Sequence, residues 1–191
     1  MTAVTIVNRS SAVLVLVDLQ ERLAAAMEDR AAVLDAVDKL VRASALMGVP
    51  VVVTRQYPAG LGDVEPMLRV VIEAAVAKTP VTVVDKVAFD CFAEPEFAAC
   101  IAQTGRRQLV IAGMESHICV VQTALSALRE GHDVHVVADA CCSRDALAHD
   151  VAIARLRAAG ATVTVTESVL YELVGVAGTD EFRALLSMVK E

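Results

Sequence analysis

The 191-residue chain has no tryptophan, only two tyrosines and four phenylalanines, and no apolar run long enough to cross a bilayer. Its longest apolar runs, 12–17 (AVLVLV) and 109–114 (LVIAGM), stop at Asp18 and Glu115. Both fall far short of the roughly 20 residues a spanning helix needs. The N-terminus, MTAVTIVNRS, lacks a basic stretch followed by an apolar core and a small-residue cleavage site. A soluble, cytoplasmic protein is expected, with no membrane partner. Basic residues are also in deficit: 17 Lys and Arg against 24 Asp and Glu leave a net charge of −7. That balance argues against a nucleic-acid groove, whose footprint is a basic patch. There is no CxxC pair, and the five cysteines are an odd number, so neither a disulfide framework nor a thiolate zinc site is expected. HxH, HExxH, the P-loop and G-x-S-x-G are missing, which leaves no motif for a metal or cofactor. Gly60-Leu61-Gly62 begins a dinucleotide fingerprint, but Glu65 stands where its third glycine belongs, so the stretch reads as a loop.

What is present is apolar: 56% of residues are hydrophobic and 21% charged, which excludes a disordered chain. The length fits one domain spanning residues 1–191. The apolar share exceeds the roughly 45–50% of ordinary domains, a surplus that suits subunit interfaces and a homo-oligomer. A junction recurs four times, at LMGVPVVVT (46–54), QTGRRQLVIAG (103–113), REGHDVHVVAD (129–139) and AAGATVTVT (158–166). In each, a helical stretch ends at a glycine, which closes a helix in the left-handed conformation, and a β-branched run follows. Two more strands fit 12–17 and 81–84, and helices fit 30–47, 65–77, 94–104, 117–130 and 146–159, with two shorter ones at 168–174 and 180–190. Strands alternating with helices predict an α/β fold, a parallel sheet covered on both faces.

In such sheets ligands bind beyond the carboxyl ends of the strands. The polar residues at those ends are therefore the candidates. Strand one ends in Asp18-Leu19-Gln20, strand two in Thr54-Arg55-Gln56-Tyr57, and strand three in Asp85-Lys86 with Phe89-Asp90-Cys91-Phe92 beyond. Strand four ends in Gly113-Met114-Glu115-Ser116-His117-Ile118-Cys119, and strand five in Asp139 before Cys141 and Cys142. Cys119 falls in the first turn of the next helix, where the helix dipole favours a thiolate. Buried filler is the competing reading, because free cysteine is among the most buried residue types. Asp18 alone reads as a cap, and Lys86 alone as a surface lysine. Together on one sheet edge, the ammonium would favour both the carboxylate and the thiolate. His117 stands two residues before Cys119, so on a helix the two side chains diverge and His117 would orient the turn or meet solvent. Cys141 and Cys142 read as packing residues.

The segments VLVDLQ, VTRQYPAGLG, DKVAFDCF, GMESHICVVQTA, VVADACCSR and TESVLYEL, taken in this order over residues 8–190, resemble the isochorismatase-like cysteine hydrolases. The resemblance is closest to the isochorismatase domain-containing branch. It implies a three-layer α-β-α, Rossmann-like fold with six parallel strands in the order 3-2-1-4-5-6. It implies that Cys119 is the nucleophile, Asp18 its proton acceptor and donor, and Lys86 the cation that steadies both. It further implies a cis peptide between Met114 and Glu115, with the backbone N–H groups of Glu115 and Cys119 aimed at an oxyanion. The reaction would be acyl transfer from a small amide. Gln20, Tyr57, Phe89 and Phe92 are expected to wall the pocket by their strand-end positions. Nicotinamidases of this superfamily hold a metal through an Asp and two His after strand two, whereas RQYPAGLGDVEP (55–66) contains no histidine. Enzymes that hydrolyse isochorismate itself lack the nucleophilic cysteine. The alternatives are a nicotinamidase-like deamidase without metal, and an oligomeric binding protein that keeps the pocket but turns nothing over.

Overall fold

The Val- and Ile-rich runs that follow the chain's glycines line up side by side. A computed structural model describes residues 6–190. The order is β1 (Ala12–Val17), α1 (Glu21–Ala24), α2 (Arg30–Met47), β2 (Val51–Gln56), α3 (Pro58–Leu61), α4 (Pro66–Ala75) and β3 (Val81–Lys86). A 3-10 turn at Cys91–Ala93 leads into α5 (Pro95–Thr104), β4 (Gln108–Met114), a π-helical turn (Ser116–Val120) and α6 (Val121–Arg129). β5 (Asp133–Cys142), α7 (Ala146–Ala159), β6 (Thr162–Thr164), α8 (Thr166–Val174) and α9 (Asp180–Lys190) complete the chain.

All strands are parallel and lie in the order β3-β2-β1-β4-β5-β6, as expected. The four junction glycines take positive φ, from 63° at Gly105 to 103° at Gly160. A residue with a Cβ would be strained there. Along β1 the side chains alternate between two apolar layers. Leu14 and Leu16 face α2, α4 and α8, while Val13, Val15 and Val17 face α5, α6 and α7. Every residue of β1 is buried, because strands and helices enclose it on all sides. Strand order reverses between β1 and β4, and the residues just past their ends meet there. Among the described residues no helix is long and apolar enough to cross a membrane.

Three details depart from expectation. β5 runs on through Cys142 rather than ending at Asp139, because its register on β4 shifts between Ile111 and Gly113. Asp139 sits in that irregular stretch and its carboxylate accepts from the Thr166 amide and hydroxyl at 2.8 and 2.9 Å, anchoring α8. The helices α1 and α3, four residues each, are too short for an apolar period to reveal them. Cys119 lies in the wider π turn ahead of α6 rather than in the first turn of a regular α-helix.

Candidate active site

Three strand ends converge at the switch in strand order. Val17, the last residue of β1, pairs with Gly113 of β4, and the two backbones approach very closely there. A Cβ on Gly113 would stand 2.1 Å from the Val17 carbonyl oxygen, and its φ is +138°. Only glycine fits. Asp18 follows with φ +53°, the left-handed conformation that Asp tolerates better than most residues. That turn keeps its carboxylate inside the protein instead of releasing it to solvent.

The carboxylate is held on two sides. Oδ1 accepts from the Thr54 hydroxyl of β2 at 2.7 Å. Oδ2 is faced at 2.8 Å by the Lys86 ammonium, and neither side chain reaches solvent. Lys86 comes from the end of β3, where it pairs in register with Gln56. Its ammonium donates to Gln56 Oε1 at 2.5 Å, the Ala88 carbonyl at 3.1 Å and the Phe89 carbonyl at 3.4 Å. The loop bearing those carbonyls is shaped by Glu94, whose carboxylate accepts from the amides of Val87 and Ala88 at 2.9 Å each. Burial is the strongest single influence on the Lys86 pKa and pulls it down, but the Asp18 charge, together with smaller contributions from Cys91, Cys119 and the hydrogen bond to Asp18, raises the pKa above its ordinary value.

Cys119 comes from the far side of the switch, on the π turn, and its thiol faces Asp18. Burial pushes its pKa up, the Asp18 carboxylate pushes the same way, and Lys86 pulls against both. This upward direction is opposite to the one the helix dipole alone would give. Cys91 adds a second buried thiol, 3.9 Å from the Thr54 hydroxyl, with its pKa pushed up to about 12 chiefly by burial.

The peptide bond between Met114 and Glu115 is cis. The Glu115 side chain turns away from the thiol and binds Arg144, accepting from its amide at 2.9 Å and its Nε at 3.1 Å. Ser116 pairs with His149 Nδ1 and His117 Nδ1 with Ser143, each at 2.9 Å. Together these contacts fasten the cysteine-bearing turn to α7 and to the loop between β5 and α7.

The expected wall residues separate. Gln20 is fully buried, and its amide is used up between strand ends: Nε2 donates to the Gln56 and Gly62 carbonyls at 3.1 and 2.8 Å, and Oε1 accepts from the Gln56 amide at 2.7 Å. Phe92 packs edge-on against Phe97, with ring centroids 5.1 Å apart, and lies near His132. It belongs to the layer beneath α5 and α6. Tyr57 and Phe89 are exposed at the ends of β2 and β3. Thr54, Gln56 and Cys91 stand among the strand-end candidates but received no role from the sequence, and Glu94 was not singled out at all. Thr54 and Gln56 could have been found from period-2 alternation, which puts both on one face of the last turns of β2. Among the described residues no group of three or more His, Cys, Asp or Glu is arranged to hold a metal ion.

Residues 12–168 match the profile of the isochorismatase domain. The chain is 35% identical over 182 residues to the secreted isochorismatase effector Isc1 of Phytophthora sojae, covering 95% of this chain and 85% of that protein. It is also 35% identical over 181 residues to isochorismatase domain-containing protein 2 of Bos taurus, covering 95% and 84%. Among solved structures it superposes on the Escherichia coli YcaC gene product, an octameric hydrolase of unknown specificity. The TM-score is 0.87 at 25% identity, over 98% of this chain and 92% of that one.

Proposed function

Because this chain belongs to the isochorismatase family, we propose that it is a cofactor-free cysteine hydrolase cleaving the C–N bond of a small amide through a thioester on Cys119. The observation that carries this reading is the buried Asp18–Lys86 pair with the Cys119 thiol turned toward it.

The chemistry follows from the charges. Four oxygens surround the Lys86 ammonium, those of Gln56, Ala88, Phe89 and Asp18, and all favour its charged form, so it serves as a fixed positive charge rather than a proton donor. With Lys86 cationic, the trio holds one negative charge, on Asp18 or on Cys119. Passing the thiol proton to Asp18 therefore changes no net charge, while losing it to solvent would. As the proton moves to Asp18, sulfur attacks the amide carbon and the carbonyl oxygen becomes an oxyanion. The amides of Glu115 and Cys119 are the donors proposed to receive it. Asp18 then returns the proton to the departing nitrogen, and the C–N bond breaks to leave an acyl thioester. Water gives its proton to Asp18 as it attacks the thioester, the carboxylic acid leaves, and Asp18 reprotonates the sulfur.

The whole chain acts as one hydrolase domain. It works in the cytoplasm, where its five free cysteines stay reduced. It assembles as a homo-oligomer, supported by the exposed Leu147 and Val151 on α7 and Met67 and Val70 on α4. Tyr57 and Phe89 border the substrate entrance.

The test compares the wild type with Cys119→Ala against small amides, including nicotinamide, carbamoyl compounds and aliphatic amides, reading ammonia or amine release. Release that vanishes in the variant supports the hydrolase. A wild type inert toward the panel, whose Cys119 is also inert to a small electrophile, moves the binding-protein reading ahead.

A further inference from the structure

Asp18 has two oxygens in unequal surroundings, and that inequality has a source outside the trio. Oδ1 is bound by the Thr54 hydroxyl at 2.7 Å, while Oδ2 faces the Lys86 ammonium at 2.8 Å and no neutral donor. Thr54 is itself fixed. Its Oγ1 accepts from the Asp18 amide at 3.3 Å and faces the Cys91 thiol at 3.9 Å. The Asp18 amide also reaches the Thr54 carbonyl at 3.2 Å. Cys91 is in turn held by its own amide, which donates to Thr123 Oγ1 of α6 at 3.1 Å. An amide can only donate and a carboxylate can only accept, so the direction of the hydroxyl is forced: its proton points at Oδ1.

We propose that Thr54, backed by Cys91, is a positioning residue that makes Asp18 a one-sided base, leaving Oδ2 alone to take the Cys119 proton. The inference rests on the hydrolase reading above and adds a residue to it. Thr54 acts through Asp18, to which its hydroxyl donates. Its hydroxyl stops the carboxylate from rotating about its Cβ–Cγ bond, which would bring either oxygen to the thiol in turn. It also places the proton, once transferred, beside a lysine whose own hydrogen bonds are already made. The proton then has one acceptor to leave and one route back to the departing nitrogen.

Two substitutions separate positioning from packing. Thr54→Val keeps the shape and loses the hydroxyl, whereas Thr54→Ser keeps the hydroxyl and loses a methyl. The readout is the rate at which iodoacetamide modifies Cys119 in the full chain at pH 7, followed by peptide mass spectrometry, with thermal melting of each variant alongside. The expected result is a slowing of about ten- to a hundredfold in Thr54→Val, the range a misplaced reacting group costs, and a rate within about twofold of wild type in Thr54→Ser. Should Thr54→Val not fold, Thr54→Ala supplies a second hydroxyl-free variant with the same expectation. The opposite ranking, with Val fast and Ser slow, assigns Thr54 to packing and overturns the proposal, as does equal slowing in both. A wild type whose Cys119 is no faster than the other four thiols defeats the hydrolase reading itself. A reactive wild type matched by Thr54→Val defeats only the role of Thr54.

Discussion

Lys86 Nζ lies 2.8 Å from Asp18 Oδ2 with both side chains closed off from water. Removing one member of such a pair strands the other charge in the core, at a cost of about 3–5 kcal/mol. Lys86→Met should therefore lower the unfolding free energy by about that much, measured by urea denaturation. Adding Asp18→Asn to it should restore part of the loss, and both variants should show slower alkylation of Cys119. A double variant less stable than Lys86→Met alone would mean that the pair is not coupled as described.

The raised pKa of Cys119 has a kinetic counterpart. A thiol that must first lose its proton to solvent reacts about tenfold faster per pH unit below its pKa. A thiol that hands the proton to a neighbouring carboxylate has no such dependence across neutral pH. Alkylation of Cys119 in the folded protein should stay nearly flat from pH 6 to pH 8, while the same residue in the urea-unfolded chain climbs steeply. A steep climb in the folded protein would remove Asp18 as the acceptor.

Gly113 admits no side chain, since a Cβ there meets the Val17 carbonyl oxygen at 2.1 Å. Because that obstacle is backbone, it cannot swing aside. Gly113→Ala should cost about 3 kcal/mol or more and should force β1 and β4 apart where Asp18 and Cys119 face each other. Melting temperature and Cys119 alkylation should fall together. A stable variant with unchanged alkylation would show that the close approach is dispensable.

Alkaline pH should weaken the fold through its thiols. Burial is the leading cause that raises Cys91, Cys141 and Cys142 from 9.0 to about 12, and it raises Cys119 as well. Above about pH 9 the unfolded chain releases protons that the folded chain still holds, so stability falls as pH rises from 9 toward 12. Each thiol contributes a slope of up to about 1.4 kcal/mol per pH unit. The unfolding free energies of wild type and Cys141→Ala, measured at pH 8.5 and pH 10.5, should converge as pH rises. Parallel lines would rule Cys141 out as a contributor.

The strands and long helices were legible because their patterns are local. A glycine, then a β-branched run, marks β2, β4, β5 and β6, and α2 and α7 begin and end where periodicity puts them. Strand order and the trio were legible through motif resemblance, since no local pattern says that β1 lies between β2 and β4. The upward pKa shift of Cys119 was not, because it depends on how deeply the thiol is buried and how close a carboxylate from another strand comes. For the same reason Gln20 and Phe92 looked like wall residues: strand-end position gives the neighbourhood of a side chain but not its direction. Gln20 turns inward to join two strand ends, and Phe92 turns under α5. Thr54, an ordinary polar residue at the end of VVVT, acquires its importance only from the oxygen it faces.

Asp18, Lys86 and Cys119 leave three different strands, and the two most distant in sequence belong to neighbours in the sheet. The nascent chain therefore carries no reactive segment. When β1, β2 and β3 have been made, Asp18 and Lys86 have their partners but no thiol to act on. The three side chains come together only when β4 pairs with β1, the pairing that also requires Gly113 to meet Val17. Such non-local closure is a slow step in folding, so the appearance of a reactive Cys119 would serve as a clock for completion of the sheet. A chain shortened before β4, or cut between its halves, would lose the site entirely rather than by degrees.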